Sequence, residues 1–443
     1  MSASSRPELR PPVLARERLG AASDLRPLSL RRNFSWTFVG NVVYAGCQWG
    51  MLMVLAKLSP PEMVGQFALV LAVTAPIMLL FSLKLRSVQA TDVRGEYRFG
   101  DYLGLRLLTT PLAMLVIAGA CLAAGYPRGT TLTILAVGLA KGLESISDVY
   151  HGYFQRHERM DRVAASMVLK GMASLAAFGV GVSATGDLLW GALGMAGAWG
   201  AVLVAYDIPV AAAMARGAEG DQLRPRWSAG PLARLARTTL PLGLVIMIGS
   251  LNTNIPRYAI EHELGGRELG IFSAMAYLLV AGSLVINALG QSASPRLANY
   301  YANGRYGSFR SLLLKLVVLG ASLGLAGTAL ALAAGRSILS SLYTAEYAQA
   351  HSTLVLISLC ALINYFYVFI GTSICAMRLF RIQLPIGLLT LAVLAVAAPP
   401  LVRARGLDGA AIALIIAAMV EFVAYLLVLL RVMDGTKDPE SET

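Results

Sequence analysis

Apolar segments of about twenty residues recur along almost the whole chain, separated by short polar stretches. A helix needs about 20 mostly apolar residues to cross a bilayer. The pattern therefore predicts an all-α polytopic membrane protein with about twelve transmembrane helices. The predicted spans are 34–56, 67–81, 102–124, 132–149, 164–184, 188–214, 233–251, 271–289, 312–334, 353–376, 384–402 and 410–430.

Basic residues between these spans fall mainly on one side of the membrane. With twelve spans, 27 Lys and Arg lie on the side of both termini, seven lie on the other side, and three lie inside helices. Lys and Arg mark cytoplasmic loops. The sequence therefore predicts that both termini are cytoplasmic.

An Arg-, Gly- and Pro-rich stretch near the middle, 215–232, is typical of a linker. It divides a first half, 33–214, from a second half, 233–432. The chain then has two short tails, a basic one at 1–32 and another at 433–443. We expect both tails and the linker to be cytoplasmic.

The two halves share a faint internal repeat. Val64-Gly65-Gln66-Phe67 follows the first span, and Leu269-Gly270-Ile271-Phe272 follows the seventh. The same shift along the chain places Arg86 opposite Gln291, each at the cytoplasmic end of the second span of its half. Because the repeat runs in one direction, we expect two six-helix bundles related by a pseudo-two-fold axis along the membrane normal.

Composition excludes a soluble protein and argues against several kinds of partner. The chain is 56% hydrophobic and 14% charged, with a mean hydropathy of +0.64, whereas soluble domains have about 25% charged residues. The net charge of +12 follows the predicted topology, so we expect no nucleic-acid partner. All four cysteines lie in apolar segments without metal-ligand spacing, so we expect no disulfide, metal or cofactor.

The span 132–149 carries Lys141, Glu144 and Asp148 on one stripe. A charge at a bilayer centre costs about 2.5–3.5 kcal/mol on insertion scales, and therefore marks a partner or an aqueous pathway. Lys141 and Glu144 can form an ion pair at i, i+3. The sequence leaves open whether this pair joins helices or lines a polar cavity.

Four further charges lie inside predicted spans. Lys170 is deep in its helix, and Arg106 is one turn inside, where snorkelling to lipid phosphate is an alternative. Asp207 has Lys170 or Arg106 as possible partners. Glu421 is midway along the last span and is either protonated, paired across helices or a proton-coupling group.

The first half thus holds an excess of buried cations, while the second half is nearly free of charge within its spans. Arg and Lys bind phosphate. The pattern indicates an anionic cargo head group, with an apolar groove suited to a lipid tail.

Several runs of residues resemble the polysaccharide-transporter branch of the multidrug/oligosaccharidyl-lipid/polysaccharide exporter superfamily, the Wzx-type O-antigen and capsule flippases. The likeness extends from about residue 30 to 430. The residues that carry it are LRSVQATD at 85–92, FGDY at 99–102 with Arg106, QRHERMD at 155–161, IPRY at 255–258, ELGIF at 268–272, NALGQ at 287–291 and SPRL at 294–297.

The resemblance implies two bundles around a central cavity in a bacterial inner-membrane protein of O-antigen, capsule or exopolysaccharide biosynthesis. Alternating access would move an undecaprenyl-pyrophosphate-linked oligosaccharide from the cytoplasmic to the periplasmic leaflet, with membrane lipids and polymerase or export components as further partners. Lys84 departs from the neutral residue expected there. The resemblance leaves the coupling ion open. The implied substrate-binding residues are Arg86, Arg106, Lys141, Lys170 and Arg257, and the coupling candidates are Glu144, Asp148, Asp207 and Glu421.

Two other functions are compatible with a chain of many spans. An integral-membrane polymerase or ligase would carry acid and base groups on a large periplasmic loop, but here only Glu261-His262-Glu263 combines His with carboxylates, on a predicted short turn at 252–266. A drug exporter of the same superfamily would favour acidic cavities, which the cationic excess opposes. The sequence therefore favours a lipid-linked oligosaccharide flippase, a transporter rather than an enzyme.

Overall fold

The computed structural model describes residues 28–92, 95–217, 223–377, 379 and 382–434, and every regular element in them is helical. We number the spanning helices α1 to α12. They are α1 Leu30–Leu58, α2 Pro61–Ser82, α3 Phe99–Ala124, α4 Arg128–Arg156, α5 Met160–Thr185, α6 188–217, α7 Ala229–Leu264, α8 266–302, α9 Tyr306–Leu342, α10 His351–Ala376, and α11 and α12 within Gln383–Asp434. A short helix, Leu85–Thr91, follows α2, and a 3₁₀ turn, Tyr347–Ala350, precedes α10.

Two of these helices are interrupted. In α6, the α-helical parts Leu188–Val202 and Ile208–Gly217 flank a π-helical turn, Leu203–Asp207. The two parts of α8, Gly266–Leu278 and Val280–Ala302, meet at a bend of 46°. Such breaks inside spans often occur at functional sites.

The prediction of twelve spans is confirmed. Nine helices in the described residues are long and apolar enough to cross a membrane, and the bent α8 makes a tenth. The 52-residue element Gln383–Asp434 would measure about 78 Å if straight. It turns at Gly406, whose φ is 60° and ψ −137°, so it crosses twice as α11 and α12. The twelfth is α4, 29 residues long, whose charged stripe lowers its hydropathy.

Two local predictions were wrong. Arg257 and the triplet 261–263 do not lie on a turn, because α7 continues to Leu264. The polar run 252–254 lowers the hydropathy there without breaking the helix, and Asn254 Nδ2 donates back to the Ser250 carbonyl at 2.8 Å. Polar side chains that face an interior are compatible with a continuous helix.

The position of Arg86 also differs from expectation, although α2 ends within one residue of the predicted span. Leu83 and Lys84 both have φ of 51°, in the left-handed region that side chains rarely adopt, and they end α2 at Ser82. Arg86 therefore lies on the short helix and not at the end of the span. In the second half, the side chain of Gln291, its predicted counterpart, lies outside the described residues.

The helices form two bundles, α1–α6 (the N bundle) and α7–α12 (the C bundle). We call the membrane face at which α1 begins and α12 ends the terminal face, and the opposite one the distal face. At the distal face one apolar core joins both bundles, with Leu55 and Phe67 packed in the same cluster as Phe272 and Tyr347. The bundles are therefore closed against each other at the distal face.

Nearer the terminal face the core divides in two. One cluster, around Phe154, contains N-bundle residues and the first turns of α7, and the other, around Phe369, contains only C-bundle residues. Between α1 and α8 lies a cavity of about 580 Å³, bordered by Phe38 and Asn41 on one side and Leu284 on the other. The gap between the two bundles is thus closed at the distal face and open toward the terminal face. We call this gap the wedge.

The linker and tails are described only in part. Arg226 lies against the start of α3, where its backbone N–H donates to the Gly100 carbonyl at 2.8 Å and its guanidinium lies 3.4 Å from Asp101. Residues 218–222 of the predicted linker, most of the predicted N-terminal tail and nearly all of the C-terminal tail lie outside the described residues. The predicted domain boundaries stay predictions.

Candidate functional site

The polar residues of α4 form the centre of the candidate site. Lys141, Glu144, Asp148 and His151 are spaced by three, four and three positions, so they share one face of the helix. This face meets α1, α5, α6 and the short helix after α2. The site therefore lies within the N bundle, on a rigid helix of 29 residues.

The distal part of the stripe is an ion pair with two aromatic neighbours. Lys141 Nζ lies 2.9 Å from Glu144 Oε2, and the side chains remain 28% and 27% exposed. Tyr44 of α1 donates its hydroxyl to the other carboxylate oxygen of Glu144. Lys141 also lies 4.8 Å from the centre of the Trp199 ring, within cation–π range. The predicted pair is present, and it joins helices while keeping surface free for a ligand.

Nearer the terminal face, Asp148 connects the stripe to the short helix. Arg86 Nη1 lies 3.3 Å from Asp148 Oδ1, and Arg86 Nε donates to Gln155 Oε1 at 3.2 Å. His151 Nδ1 lies 3.7 Å from the same Asp148 oxygen. The Asp148 side chain is 39% exposed and that of Arg86 29%, so both remain accessible.

Behind His151 lies a fully buried pair. Asp207, in the π-helical turn of α6, lies 2.9 Å from Lys170 Nζ of α5 and accepts the Ser147 hydroxyl at 2.7 Å. His151 Nε2 lies 3.6 Å from Asp207 and 2.9 Å from Ser166 Oγ. His151 thus connects the accessible Arg86–Asp148 pair to the buried Lys170–Asp207 pair. The Lys170–Asp207 pair is one of the two pairings that the sequence predicted for Asp207.

Sequence reasoning missed His151. It lies beyond the predicted apolar span 132–149, although it continues the stripe at the third position after Asp148. Extending the helix by two turns would have placed it on the charged face.

Arg106 has a different environment. Its side chain is almost fully buried, and it donates to the carbonyls of Phe81 at 3.1 Å and Ser82 at 2.8 Å. The last carbonyls of a helix have no partner within the helix. Arg106 therefore caps α2 at its left-handed end, next to the exposed Lys84. Its predicted contact with substrate stays a prediction.

The cations of this site are balanced by nearby carboxylates, so the site is not simply cationic. Lys141, Lys170 and Arg86 each have a carboxylate within 4 Å. Buried charges that lack a partner are costly, so these carboxylates act as internal counter-ions. A phosphate could replace Glu144 or Asp148 at the exposed cations without leaving a bare charge.

The remaining predicted residues lie in the C bundle. Arg257 of α7 and Glu421 of α12 line one cavity of about 330 Å³. At the distal end of α7, Glu263 lies 2.6 Å from Arg403, so the carboxylate beside His262 is held in an ion pair. The structure therefore separates Arg257 and Glu421 from the N-bundle site.

Comparison with known sequences identifies relatives over most of the chain. A family of polysaccharide biosynthesis proteins matches residues 30–301. The capsular polysaccharide biosynthesis protein CapF of Staphylococcus aureus is 30% identical over 398 residues, which cover 89% of this chain and 98% of CapF. The resemblance noted in the sequence is confirmed.

Solved structures share the fold at low sequence identity. An inward-facing multidrug resistance MATE family transporter of the MOP superfamily matches with a TM-score of 0.68 at 13% identity, covering 92% of this chain and 100% of that one. The lipid II flippase MurJ, in an inward closed conformation, matches with a TM-score of 0.66 at 11% identity, covering 89% and 87%. The two six-helix bundles are thus the fold of this group of transporters.

Proposed function

The chain belongs to the polysaccharide biosynthesis protein family, and on that premise we propose that it is a flippase for a lipid-linked oligosaccharide. The cargo is an undecaprenyl-pyrophosphate-linked glycan of capsule, O-antigen or exopolysaccharide synthesis. The protein moves it between leaflets of the bacterial inner membrane by alternating access of the two bundles.

One observation supports the proposal: the structure has a partly exposed charged stripe in the N bundle and a mainly apolar cavity between the bundles. In the α4 stripe and its partner helix, Lys141 and Arg86 are partly exposed. The cavity between α1 and α8 is bordered mainly by apolar side chains such as Phe38 and Leu284. An amphipathic cargo with a phosphate head inside and a hydrocarbon tail at the opening matches both surfaces.

The direction follows from charge. Most Lys and Arg between spans lie on the terminal face, which supports a cytoplasmic position for that face and for both termini. The open wedge then faces the cytoplasm, where the cargo enters. Moving an anion outward from a negative interior is favoured by about 2.3 kcal/mol per charge per 100 mV, so the membrane potential alone assists export.

The residue roles follow from exposure. Lys141 and Arg86 contact the pyrophosphate, and Glu144 and Asp148 exchange with it as counter-ions. When the cargo leaves, the carboxylates pair with the cations again, so the empty carrier returns without unpaired charge. Lys170, Arg106 and Asp207 hold the helices that carry these groups, and Asp207 remains a candidate for ion coupling.

Translocation in proteoliposomes tests this function. The protein is reconstituted with undecaprenyl pyrophosphate bearing one labelled N-acetylglucosamine, and the labelled lipid that reaches the opposite leaflet is measured. We expect Lys141→Ala to slow translocation at least tenfold, because a charge-assisted contact is worth about 1.5–3 kcal/mol. Lys57→Ala, which removes an exposed lysine at the distal end of α1, is the matched control. Equal rates for the two variants would refute the assignment of Lys141.

A further inference from the structure

The C-bundle cavity is distinct from the N-bundle site and has its own set of polar groups. It lies between α7, α8, α10, α11 and α12, with a volume of about 330 Å³. Ligand cavities in proteins are typically about 300–1,000 Å³. The space therefore suits a small polar ligand or one unit of a larger one. Its polar lining includes Asn252, Thr253, Arg257, Asn364, Thr390 and Glu421.

Two buried polar atoms in this lining lack a hydrogen-bond partner among the described residues. Arg257 donates through Nη1 to Asn254 Oδ1 at 2.8 Å, but its Nε has no acceptor. Asn252 donates through Nδ2 to the Gly387 carbonyl at 3.3 Å, but its Oδ1 has no donor. An unsatisfied buried polar group costs about 1–3 kcal/mol. The cavity wall thus contains one donor atom and one acceptor atom that the described residues leave without a partner.

The charges in the cavity narrow the chemistry of that ligand. Arg257 and Glu421 both line it, yet no ion pair among the described residues joins them. The arginine opposes a metal cation, and the carboxylate opposes a phosphate. A hydrocarbon tail would leave Arg257 Nε and Asn252 Oδ1 without hydrogen-bond partners. An uncharged ligand that donates and accepts hydrogen bonds agrees with both groups.

Two tyrosines add aromatic surface to a lining whose other apolar side chains are mostly aliphatic, such as Leu394 and Leu414. Tyr365 and Tyr367 of α10 both border the cavity, and Tyr367 lies beside Glu421. Carbohydrate rings have hydroxyls around their edge and C–H groups on their faces, so amide, charged and aromatic side chains together are suited to bind them. A sugar, unlike a metal cation, a phosphate or a hydrocarbon tail, therefore suits both the polar and the aromatic side chains of the lining.

The cavity also adjoins the bent part of α8. Leu279 lies at the 46° bend of α8 and Ser283 one turn later, and both line the cavity. On the same helix, Leu284 and Val285 border the opening toward α1. The helix α8 therefore borders the C-bundle cavity as well as the cavity between the bundles.

We propose that this cavity is a sugar subsite, which binds one uncharged sugar of the lipid-linked glycan through Arg257, Asn252 and Glu421. The proposal rests on the flippase function above. It adds that recognition is divided, with the phosphates bound in the N bundle and the sugar in the C bundle.

Two lipids distinguish this proposal from the function it rests on. Binding to the full-length protein in nanodiscs is measured by native mass spectrometry for undecaprenyl pyrophosphate with one N-acetylglucosamine and for undecaprenyl pyrophosphate alone. For the wild type, we expect the sugar to strengthen binding. Arg257→Gln should lower this sugar-dependent gain about tenfold and Asn252→Ala about threefold, with affinity for the sugar-free lipid unchanged.

Asn303→Ala, at the terminal end of α8, is the matched amide control, and Arg257→Lys serves if Arg257→Gln does not fold. Loss of affinity for both lipids in equal measure, or no loss for either, would overturn the sugar subsite and leave the flippase function standing. A Na⁺-dependent rise in thermal stability that Glu421→Gln abolishes would make the cavity a cation site and also overturn the proposal. Failure of the wild type to bind either lipid would refute the flippase function itself.

Discussion

The seal at the distal face depends on two equivalent glycines. Gly65 of α2 and Gly270 of α8 occupy matching positions of the internal repeat and pack backbone against backbone. A Cβ placed on Gly65 would lie 1.7 Å from the Gly266 carbonyl oxygen, and one on Gly270 would lie 2.1 Å from the Pro61 carbonyl oxygen. Because the obstacles are backbone atoms, Gly65→Ala cannot be accommodated unless α2 and α8 move apart.

The size of the effect follows from this geometry. Overpacking a tight contact costs about 1–3 kcal/mol. In Gly65→Ala this cost falls on the state in which the distal face is closed, because α2 and α8 make this backbone contact only in that state. A difference of about 1–3 kcal/mol corresponds to a 5–150-fold shift in the ratio of closed to open molecules. We therefore expect Gly65→Ala to populate a distal-open state.

Distances between spin labels across the distal face report this shift. Arg128 of the N bundle and Arg336 of the C bundle are exposed near that face, so each can be changed to cysteine for labelling after the four native cysteines are replaced by serine. In proteoliposomes, Gly65→Ala should add a population with a longer distance. Gly197→Ala, at a glycine with nothing within 4 Å, should not. An unchanged distance distribution in a folded Gly65→Ala protein would refute the glycine seal.

Three further predictions concern the N-bundle site. Lys170→Met should destabilise the protein by about 3–5 kcal/mol because it leaves Asp207 buried without its cation. The additional change Asp207→Leu should restore part of this stability. Unfolding temperatures in detergent measure both variants, and a double variant less stable than Lys170→Met would contradict the pairing. Arg106→Ala should cost about 1.5–3 kcal/mol through the lost cap of α2, again read as an unfolding temperature, and an unchanged temperature would contradict the cap. Glu144→Gln should tighten binding of undecaprenyl pyrophosphate by freeing Lys141 while slowing turnover, and weaker binding would contradict the counter-ion role.

Hydropathy was sufficient to predict the twelve spans, because each helix must bury about 20 apolar residues whatever its neighbours are. It failed at the ends of helices. The polar run 252–254 lowers hydropathy but faces an interior, so α7 continues through it to Leu264. The separate short helix after α2 was missed because the left-handed backbone at Leu83 and Lys84 has no glycine to announce it.

Within the site, local contacts were predictable and distant ones were not. The Lys141–Glu144 pair follows from i, i+3 spacing on one helix. The partners of Arg106 are backbone carbonyls of another helix, which no sequence pattern specifies. Likewise the repeat revealed that Gly65 and Gly270 are equivalent, but only the fold shows that the pseudo-two-fold brings them into contact.

The central claim is that this chain moves a lipid-linked glycan across the membrane, and the most direct measurement is the leaflet position of that lipid. Vesicles with and without the protein are loaded with undecaprenyl pyrophosphate bearing N-acetylglucosamine, and the sugar exposed outside is labelled with an impermeant galactosyltransferase and radioactive UDP-galactose. We predict that the protein makes nearly all of the lipid reactive over time, whereas protein-free vesicles stay near half. Identical labelling with and without the protein would contradict the account.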